Sequence, residues 1–459
     1  EAGVNLKYGL TSNLTADVAF NPDFSQIESD RPQIEVNQRF PLFYSELRPF
    51  FLEGAEIFEM SGPVTFVHTR TIVDPDFGGK ITGKVGKTTL GLLVANDAAP
   101  GNVESSDDPL FGKDANVLIG RARYDLYAES FLGAIFTNRD FLDSYSRLGG
   151  VDGNFRLGQT QSLGFRAVQT EHLDLDRIRS SGQMFDVNYR INGRNISGYV
   201  SAYTLSPGFK TNVGFIRRVD QKRVNGSIGY RWWPESWVIN WGPRFNYGSN
   251  WNFDNVLEDT NARFGLRASF AKNLRFSFDI TRDMERYRGI SFDKRGYSLN
   301  GGVNTSRRYS FGGYYRYGDL IRYTDNPFLG QGSNGSIYMT LRPASRFQSR
   351  INIGTSRLVD PRNADELVFD VKIYRVLTTY QMTDRLLFRN IAEYNTYQRT
   401  VGLNVLGTYR VNAGTVFYVG YDDHYQQGNL YDDELFPEEL TLRQTNRAFF
   451  TKLQYLFRN

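Results

Sequence analysis

Residues 274–282 read Leu-Arg-Phe-Ser-Phe-Asp-Ile-Thr-Arg, and this stretch decides the fold class. From Leu274 to Ile280 every second residue is apolar, and the residues between them are polar. Side chains on a β-strand point to opposite faces with a period of two, so the stretch predicts a strand with one apolar and one polar face. A soluble β-sandwich alternates in the same way, so one strand alone does not separate a sandwich from a membrane barrel.

The same alternation recurs over several hundred residues. It is clear at 118–126, 185–192, 263–270 and 401–409. Each stretch is close to the ~9–11 residues with which a tilted strand crosses a bilayer. We assign the apolar row of each strand to lipid and the polar row to a lumen.

Connectors of two lengths alternate between the strands. Tight turns are predicted near 84–87, 128–129, 157–159, 192–195, 233–236, 271–273, 306–307, 343–346, 381–384 and 411–414. Longer loops are predicted at 98–114, 171–182, 205–222, 250–260, 283–295, 319–334, 358–366 and 422–445. Short periplasmic turns and long extracellular loops are typical of outer-membrane barrels. The sequence therefore predicts an all-β fold: one antiparallel transmembrane barrel of about 24 strands (roughly 22–26), spanning 1–459 as a single domain.

The composition agrees with a barrel and excludes other classes. Charged residues make up 23% of the chain, and the longest aliphatic run, Leu90–Ala95, is far shorter than the ~20 residues of a spanning helix. Aromatic residues make up 15%, which suits girdles at two membrane interfaces. There is no cysteine, so disulfides and thiolate chemistry are excluded. The net charge of +4 is too balanced to predict nucleic-acid binding.

Residues 21–63 break the pattern. They contain five prolines, and proline is poorly tolerated inside a sheet. Because barrels of about 22 strands carry a plugged lumen, we predict that this segment folds inward as a plug. Its charged residues, expected to pair with luminal arginines, are Asp23, Glu28, Asp30, Glu46, Arg48, Glu53 and Glu56. The arginines expected to face the lumen are Arg121, Arg123, Arg190, Arg263 and Arg267.

Four stretches carry a resemblance to a known family. They are Leu-Lys-Tyr-Gly-Leu-Thr-Ser-Asn-Leu-Thr at 6–15, Asn-Pro-Asp-Phe-Ser-Gln-Ile-Glu-Ser-Asp at 21–30, Glu-Leu-Arg-Pro-Phe-Phe-Leu-Glu-Gly at 46–54 and Gly-Lys-Ile-Thr-Gly-Lys at 79–84. The chain resembles the outer-membrane β-barrel domain of unknown function that follows a carbohydrate-binding family 9-like domain in many diderm bacteria. The resemblance implies a location in the outer membrane and a carbohydrate-related cargo. It supplies no catalytic residue.

No constellation in the sequence predicts an enzyme or a cofactor. The candidates for a divalent-cation site are the carboxylates of the last long loop, because hard cations bind several carboxylate oxygens. They are Asp422, Asp423, Asp432, Asp433 and Glu434. The last strand presents a row that resembles the signal read by the barrel-assembly machinery: Phe449, Leu453, Tyr455 and Phe457.

Two functions remain open. The first is a channel or gated transporter in which the 21–63 segment controls passage. The second is a non-transporting anchor or scaffold whose loops bind a partner protein or a surface glycan. The expected partners are outer-membrane lipid and lipopolysaccharide, the assembly machinery during biogenesis, and proteins at the loops or the periplasmic side.

The connector lengths yield a test of topology. Protease added to intact cells should cleave within 422–445 and spare Pro343–Arg346, because long loops are expected outside the cell and tight turns in the periplasm. Mass spectrometry of the released peptides reads the result. Cleavage at the tight turns alone would reverse the predicted orientation.

Overall fold

The computed structural model describes residues 3–22, 24, 29–304, 306–412, 414–427 and 442–455. These residues form one antiparallel sheet of 23 strands and very little helix, which confirms the predicted all-β class and strand number. The first predicted hairpin is also confirmed, since Val4–Thr11 pairs with Leu14–Phe20. Among the described residues, no helix has the length and apolar character to cross a membrane.

The strands follow one another along the chain. The first twelve are β1 Val4–Thr11, β2 Leu14–Phe20, β3 Phe77–Val85, β4 Thr88–Asp97, β5 Ala115–Asp125, β6 Phe131–Phe141, β7 Ser144–Arg156, β8 Gln161–Leu173, β9 Arg179–Asn192, β10 Ile196–Leu205, β11 Gln221–Tyr230 and β12 Val238–Trp251. The others are β13 Leu257–Phe270, β14 Leu274–Tyr287, β15 Ile290–Val303, β16 Tyr309–Arg322, β17 Phe328–Leu341, β18 Phe347–Asp360, β19 Glu366–Gln381, β20 Leu386–Asn395, β21 Thr400–Arg410, β22 Thr415–Gln427 and β23 Leu442–Tyr455.

The chain divides into two compact units. Unit 1 comprises Glu1–Asp30, Phe40–Gly229 and Asn246–Thr260; unit 2 comprises Arg31–Arg39, Tyr230–Phe245 and Asn261–Asn459. Each unit contains strands and part of the pattern-breaking N-terminal region.

The irregular region is longer than the sequence predicts. Its described residues contain no strand, as expected for 21–63, but the next strand begins only at Phe77. Helices α1 (Pro49–Leu52) and α2 (Ala55–Phe58) and a 3-10 turn at Thr69–Thr71 lie within it. Two further 3-10 turns occur at Ala99–Gly101 and Ala271–Asn273.

The connectors correct part of the prediction. The long loops at 98–114 and 205–222 are confirmed, but the predicted loop at 283–295 consists almost wholly of paired strand. There, β14 and β15 are joined by Arg288 and Gly289 alone, both with positive φ, as a two-residue hairpin requires.

Five other predicted loops are shortened, because the strands on either side extend into both of their ends. They are the loops at 171–182, 250–260, 319–334, 358–366 and 422–445. Strands of up to 16 residues exceed what a bilayer needs, and their polar ends resemble loops in sequence.

The sheet has two unlike faces in unit 1. One face buries Leu93, Val117 and Ile119 under the N-terminal region, and we call it the covered face. The other face exposes large apolar side chains such as Leu92, Phe136 and Phe185, which is 53% exposed, and we call it the open face. Apolar side chains thus occupy both faces here. The prediction that the second face of β5, assigned to the lumen, carries only polar residues is therefore wrong.

Aromatic side chains collect at one end of the strands in unit 2. Trp232 and Trp241 lie 4.6 Å apart between ring centroids, and Trp237 stacks on Phe270 at 4.8 Å. These rings lie beside the tight turns at 231–237 and 271–273. Tryptophan and tyrosine prefer the membrane–water interface, so this cluster is placed as an aromatic girdle would be.

The exposed apolar row of β14 can be tested by substitution. Phe276→Arg should destabilise the protein by ~2–4 kcal/mol if the position lies near the bilayer midplane, because arginine would enter hydrocarbon. Ser277→Arg, on the opposite face of the same strand, should cost less. Unfolding in lipid vesicles measures both, and equal costs would contradict the assignment of the faces.

On β13, Leu266 and Gly265 also lie on opposite faces, but they do not form a matched pair for arginine substitution. A Cβ at Gly265 would lie 2.1 Å from Oδ1 of Asp279, so any substitution there adds a clash of its own.

Candidate functional site

The irregular region of unit 1 packs on the covered face through two apolar clusters. In the first, Phe51, Phe58 and Ile72 contact β4 and β5 residues such as Leu93 and Ile119. All five side chains are almost fully buried. We call residues 40–76 the covering segment.

The second cluster extends the cover across β6 to β10. Met60, Val64 and Phe66 of the covering segment contact Ile135, Leu148, Val168, Met184 and Leu205. Phe209 and Val213, from the long loop between β10 and β11, are buried in the two clusters. That loop thus helps to hold the segment.

Two strand glycines allow the segment to approach closely. A Cβ at Gly91 would lie 2.8 Å from side-chain atoms of Ile57 and Phe58, and a Cβ at Gly78 would lie 2.8 Å from the Phe50 ring. Strand positions that lack a side chain therefore receive α1 and α2.

A largely buried carboxylate, with 11% of its side chain exposed, organises the polar part of the segment. Glu46 accepts hydrogen bonds from Arg48 Nε (2.8 Å), from Thr69 Oγ1 (2.7 Å) and from the backbone N–H of Arg48 (2.9 Å). Arg48 also donates to the carbonyls of Ile72 (2.7 Å) and Thr69 (2.8 Å) and lies over the Phe51 ring. This network ties the two ends of the covering segment together.

Two strand residues on the covered face bind the backbone of the covering segment. The buried Lys80 on β3 donates to the carbonyls of Phe50 (2.5 Å) and Glu53 (2.6 Å) around α1. Asp97, fully buried at the end of β4, accepts from the backbone N–H groups of Val73 and Asp74 and from Arg139 on β6. Side chains of the strands therefore satisfy backbone groups of the covering segment, which is not itself part of the sheet.

Residues 31–39 make a separate set of contacts within unit 2, and we call them the tether. Arg39 pairs with Glu285 of β14 at 2.6 Å and donates to the carbonyl of Arg286. Glu285 also pairs with Lys294 and accepts from the Tyr323 hydroxyl at 2.8 Å. One strand carboxylate therefore gathers two cations and a phenol.

The tether also binds the end of β16. The Asn37 side chain donates to the carbonyl of Ile321 (2.9 Å) and accepts from the N–H of Tyr323 (2.8 Å), as a neighbouring strand would. Ile34 and Val36 pack at the edge of a cluster that contains Leu358. Contacts of the tether are thus mainly polar, with little apolar surface.

The charged residues predicted for the segment pair differently than expected. Glu46 pairs with Arg48, Asp30 with Arg70 and Glu53 with Lys7. Glu56 is exposed on α2. Asp23 and Glu28 lie outside the described residues.

The predicted luminal arginines do not pair with segment acids in the part of the chain that the structure describes. Arg121 forms a buried bidentate pair with Asp152 of β7 (2.6 and 2.8 Å), and Arg123 pairs with Asp125. Gly133 of β6 leaves the space for the first pair, since a Cβ there would lie 2.5 Å from Asp152. Arg121 and Arg123 thus find their countercharges on strands, Asp152 of β7 and Asp125 of β5 itself, so the predicted pairing with segment acids is wrong for these two.

The other three arginines, on β9 and β13, have no ion pair among the described residues; they are Arg190, Arg263 and Arg267.

The predicted carboxylate cluster is divided by the strand. Asp422 and Asp423 lie within β22, not in a loop. Asp422 contacts His424 at 3.0 Å, whereas Asp423 is buried and bonded to Tyr421, Tyr425 and Arg447. Asp432, Asp433 and Glu434 lie outside the described residues. In the described ranges, no three potential ligands are grouped as a metal site would require.

The last strand shows its predicted row. Phe449, Leu453 and Tyr455 of β23 are all more than half exposed and follow one another on one face. Phe457 falls beyond the described residues. The role of this row in assembly stays a prediction.

Several contact residues were missed by sequence reasoning. Lys80, Asp97, Arg39 and Glu285 look in sequence like ordinary polar residues of a strand or loop. Only Lys80 had a signal, because it lies inside the Gly-Lys-Ile-Thr-Gly-Lys stretch at 79–84.

Comparisons with known proteins support the fold. Residues 1–70 match a family model described as a domain of unknown function (DUF5916). No curated protein matches the chain in sequence.

Solved structures are similar over most of the chain. The copper transporter OprC has a TM-score of 0.53 at 8% identity, covering 83% of this chain and 78% of its own. The siderophore receptor PirA from Pseudomonas aeruginosa has a TM-score of 0.52 at 9% identity, covering 83% and 75%. The ferric enterobactin receptor PfeA from Pseudomonas aeruginosa has a TM-score of 0.53 at 9% identity, covering 85% and 79%. The fold is therefore similar to that of outer-membrane barrel transporters.

The Glu46 network predicts an acid-dependent release. Burial alone would raise the pKa of Glu46, but hydrogen bonds from Arg48 and Thr69 outweigh it and lower the pKa from 4.5 to about 2. A lowered folded-state pKa stabilises the fold above pH ~4.5, by roughly 3 kcal/mol, and this is lost as the pH falls toward ~2. Pepsin should therefore cleave near Phe50 at pH 2 and not at pH 4.

Glu46→Gln is the matched control, because it removes the charge and keeps the shape. The variant should be cleaved at both pH values. Equal resistance of the two proteins at pH 4 would show that the Glu46 charge does not hold the segment.

Proposed function

We propose that this protein is a gated transporter of the outer membrane in which the covering segment and the tether occupy the lumen of a β-barrel. One observation carries the proposal: the sheet presents bare apolar side chains on its open face and buries the N-terminal region on its covered face. Lipid contact accounts for the first property, and an occupied lumen accounts for the second.

The open face supports the membrane location. Exposed phenylalanine, leucine and tyrosine residues repeat along one face of the strands within each unit, and we call this face the open face in either unit; examples are Phe136 and Phe185 in unit 1 and Phe276 and Leu299 in unit 2. A soluble protein rarely exposes a contiguous apolar surface of this extent. The similarity to outer-membrane barrel transporters supports the same location.

The two parts of the N-terminal region are held by different forces. Four almost fully buried side chains of the covering segment, Phe51, Phe58, Phe66 and Ile72, each contribute about 1.5–3 kcal/mol of apolar burial. The tether depends on Arg39 and Asn37, whose hydrogen bonds are each worth roughly 1–3 kcal/mol net. The tether is therefore the part that moves at lower cost, and the covering segment remains seated.

A single substitution tests the tether as a gate. Glu285→Gln weakens the bond to Arg39 and should raise the open probability in planar bilayers. Asp283→Asn is the matched control, since Asp283 lies two residues away on β14 and pairs with Arg316 of β16 rather than with the tether. High salt should open the wild-type protein more than the Glu285→Gln variant, because it screens the charge pair that the variant lacks.

A disulfide separates the two moving parts. The chain has no cysteine, and a Cβ at Gly54 would lie 3.4 Å from Cβ of Thr82 on β3, close to the spacing that a disulfide needs. When Gly54→Cys/Thr82→Cys is added to the Glu285→Gln variant and oxidised, the conductance of that variant should not change if only the tether moves. Each single cysteine variant serves as its control.

Deletion of residues 21–63 removes the tether and most of the covering segment, and it should raise the conductance well above that of the intact protein. Liposome swelling with neutral sugars of increasing size then measures the pore and tests a carbohydrate cargo. A deletion protein that inserts and still does not conduct would overturn the transport proposal.

The second candidate is a non-transporting anchor with a sealed lumen. The extent of the two apolar clusters favours it, because eight segment and loop side chains would have to leave buried positions before the cover could open. Its distinguishing result is a protein that remains closed in high salt and with Glu285→Gln.

A further inference from the structure

We propose that unit 2 carries a binding site for one anionic phospholipid on its open face, with the phosphate at two arginines of the tight turns and an acyl chain in a groove between β14 and β18. The inference rests on the proposed membrane location. It names a ligand that the transport proposal does not require.

The groove is a defect in an otherwise bulky apolar face. Gly301 of β15 pairs with Gly313 of β16, and Gly335 of β17 lies beside them opposite Tyr315. Gly301 and Gly313 are thus directly opposite each other, and Gly335 is a diagonal neighbour of Gly313, whose own partner on β17 is Ile337. Phe276, Leu299, Ile337 and Ile353 stand around them and enclose a cavity of ≈ 280 Å³.

The walls of the groove are almost wholly apolar. Leu299, Tyr315 and Ile337 are each close to half exposed or more, so they form a raised rim and not a closed core. A hydrocarbon chain is the ligand that this groove fits, because the chain can fill the apolar space without needing a hydrogen bond.

A second cavity lies at the turn end of the same strands. It measures ≈ 430 Å³ and is lined by Asn304, Ser306, Arg307 and Arg342. The backbone N–H of Arg342 donates to the carbonyl of Arg308 at 2.5 Å. This hydrogen bond joins the turn after β15 to the turn after β17. Two guanidinium groups beside a hydroxyl and an amide form a suitable set of donors for a phosphate.

The charge at this end of unit 2 is one-sided. The four tight connectors at 271–273, 304–308, 342–346 and 382–385 contain six basic residues and one acidic residue, Asp384. The connectors at the other strand ends, 288–289, 323–327, 361–365 and 396–399, contain three basic and two acidic residues. An anionic headgroup is therefore favoured at the end where the arginine cavity lies.

The spacing of the two cavities fits one lipid. Gly313 and Arg307 are six residues apart along the chain, which corresponds to ~20 Å along a strand and its turn. With the strand tilted by about 45°, the vertical separation is ~14 Å, close to half of a hydrocarbon core of ~30 Å. A phosphate at Arg307 would place the chain of the same molecule at the groove.

Arg307 and Arg342 are exposed, so their guanidinium groups are accessible to a phosphate. Arg307 makes no ion pair in the described ranges, and Arg342 uses only its Nε, which donates to Gln348 at 2.8 Å. The neighbouring Arg346 is instead paired with Asp384 at 3.3 Å.

The test uses the full-length protein and native mass spectrometry from detergent micelles with added lipid. The wild-type protein should retain one phosphatidylglycerol, and Arg307→Gln/Arg342→Gln should weaken that binding at least about tenfold. Arg385→Gln, in a tight turn outside the cavity, is the charge control and should not change it. Phosphatidylethanolamine should bind more weakly than phosphatidylglycerol to the wild-type protein.

A second variant tests the groove. Gly301→Leu should abolish retention, because a Cβ there has only the Arg275 carbonyl within 4 Å, at 3.6 Å, so the side chain enters the groove without a clash. Gly407→Leu on β21 meets comparably open surroundings and is the matched control. Inorganic phosphate should not displace the lipid, since it lacks the acyl chain.

Three results would overturn the site. They are unchanged retention in both variants, equal loss with Gly407→Leu, or retention of lipid A in preference to phosphatidylglycerol. Failure of the transport proposal is distinguishable, because a protein that inserts without conducting can still bind the lipid. A protein that does not insert at all would remove the basis of both.

Discussion

The backbone hydrogen bonds of the sheet are the constraint on which the rest of the structure depends. In hydrocarbon an unpaired N–H or C=O costs several kcal/mol, so each strand has to be paired along its length by its neighbours. Once the strands are paired, side chains can only alternate between two faces. One face is then given to apolar side chains, and the other must accept charge, water or further protein.

The covered face shows how the second demand is met. Some buried charges of this face are matched by other strands, as Arg121 of β5 is by Asp152 of β7. The covering segment binds through apolar surface, with Lys80 and Asp97 satisfying its exposed backbone groups. Charge pairing holds the wall, whereas apolar burial holds the cover.

Sequence reasoning predicts the part of this arrangement that is periodic. The alternation in β14, the hairpin of β1 and β2 and the tight turns are local properties, so they can be seen without the fold. The prolines of 21–63 predicted a region without strands for the same reason. Strand ends were misjudged, because the polar ends of strands that extend beyond a bilayer resemble loops.

The contacts of the candidate site are not periodic and could not be predicted. Arg39 meets Glu285 across 246 positions of sequence, and no local pattern marks either residue. Gly133 looks like a weak point of β6, yet its missing side chain is what admits the Arg121–Asp152 pair. Such roles depend on which strands become neighbours, and this is known only once the sheet is formed.

Missing side chains have a common physical effect on both faces of the sheet. On the covered face, Gly78 and Gly91 leave space that Phe50, Ile57 and Phe58 fill from the same chain. On the open face, Gly301 leaves open space in a cavity that Gly313 and Gly335 also line. A void along a strand forfeits dispersion contacts unless another molecule supplies them. At the proposed membrane location that molecule would be a lipid chain, so one packing rule applies to the glycines of both faces, with the chain itself as the partner on the covered face and the proposed lipid on the open face.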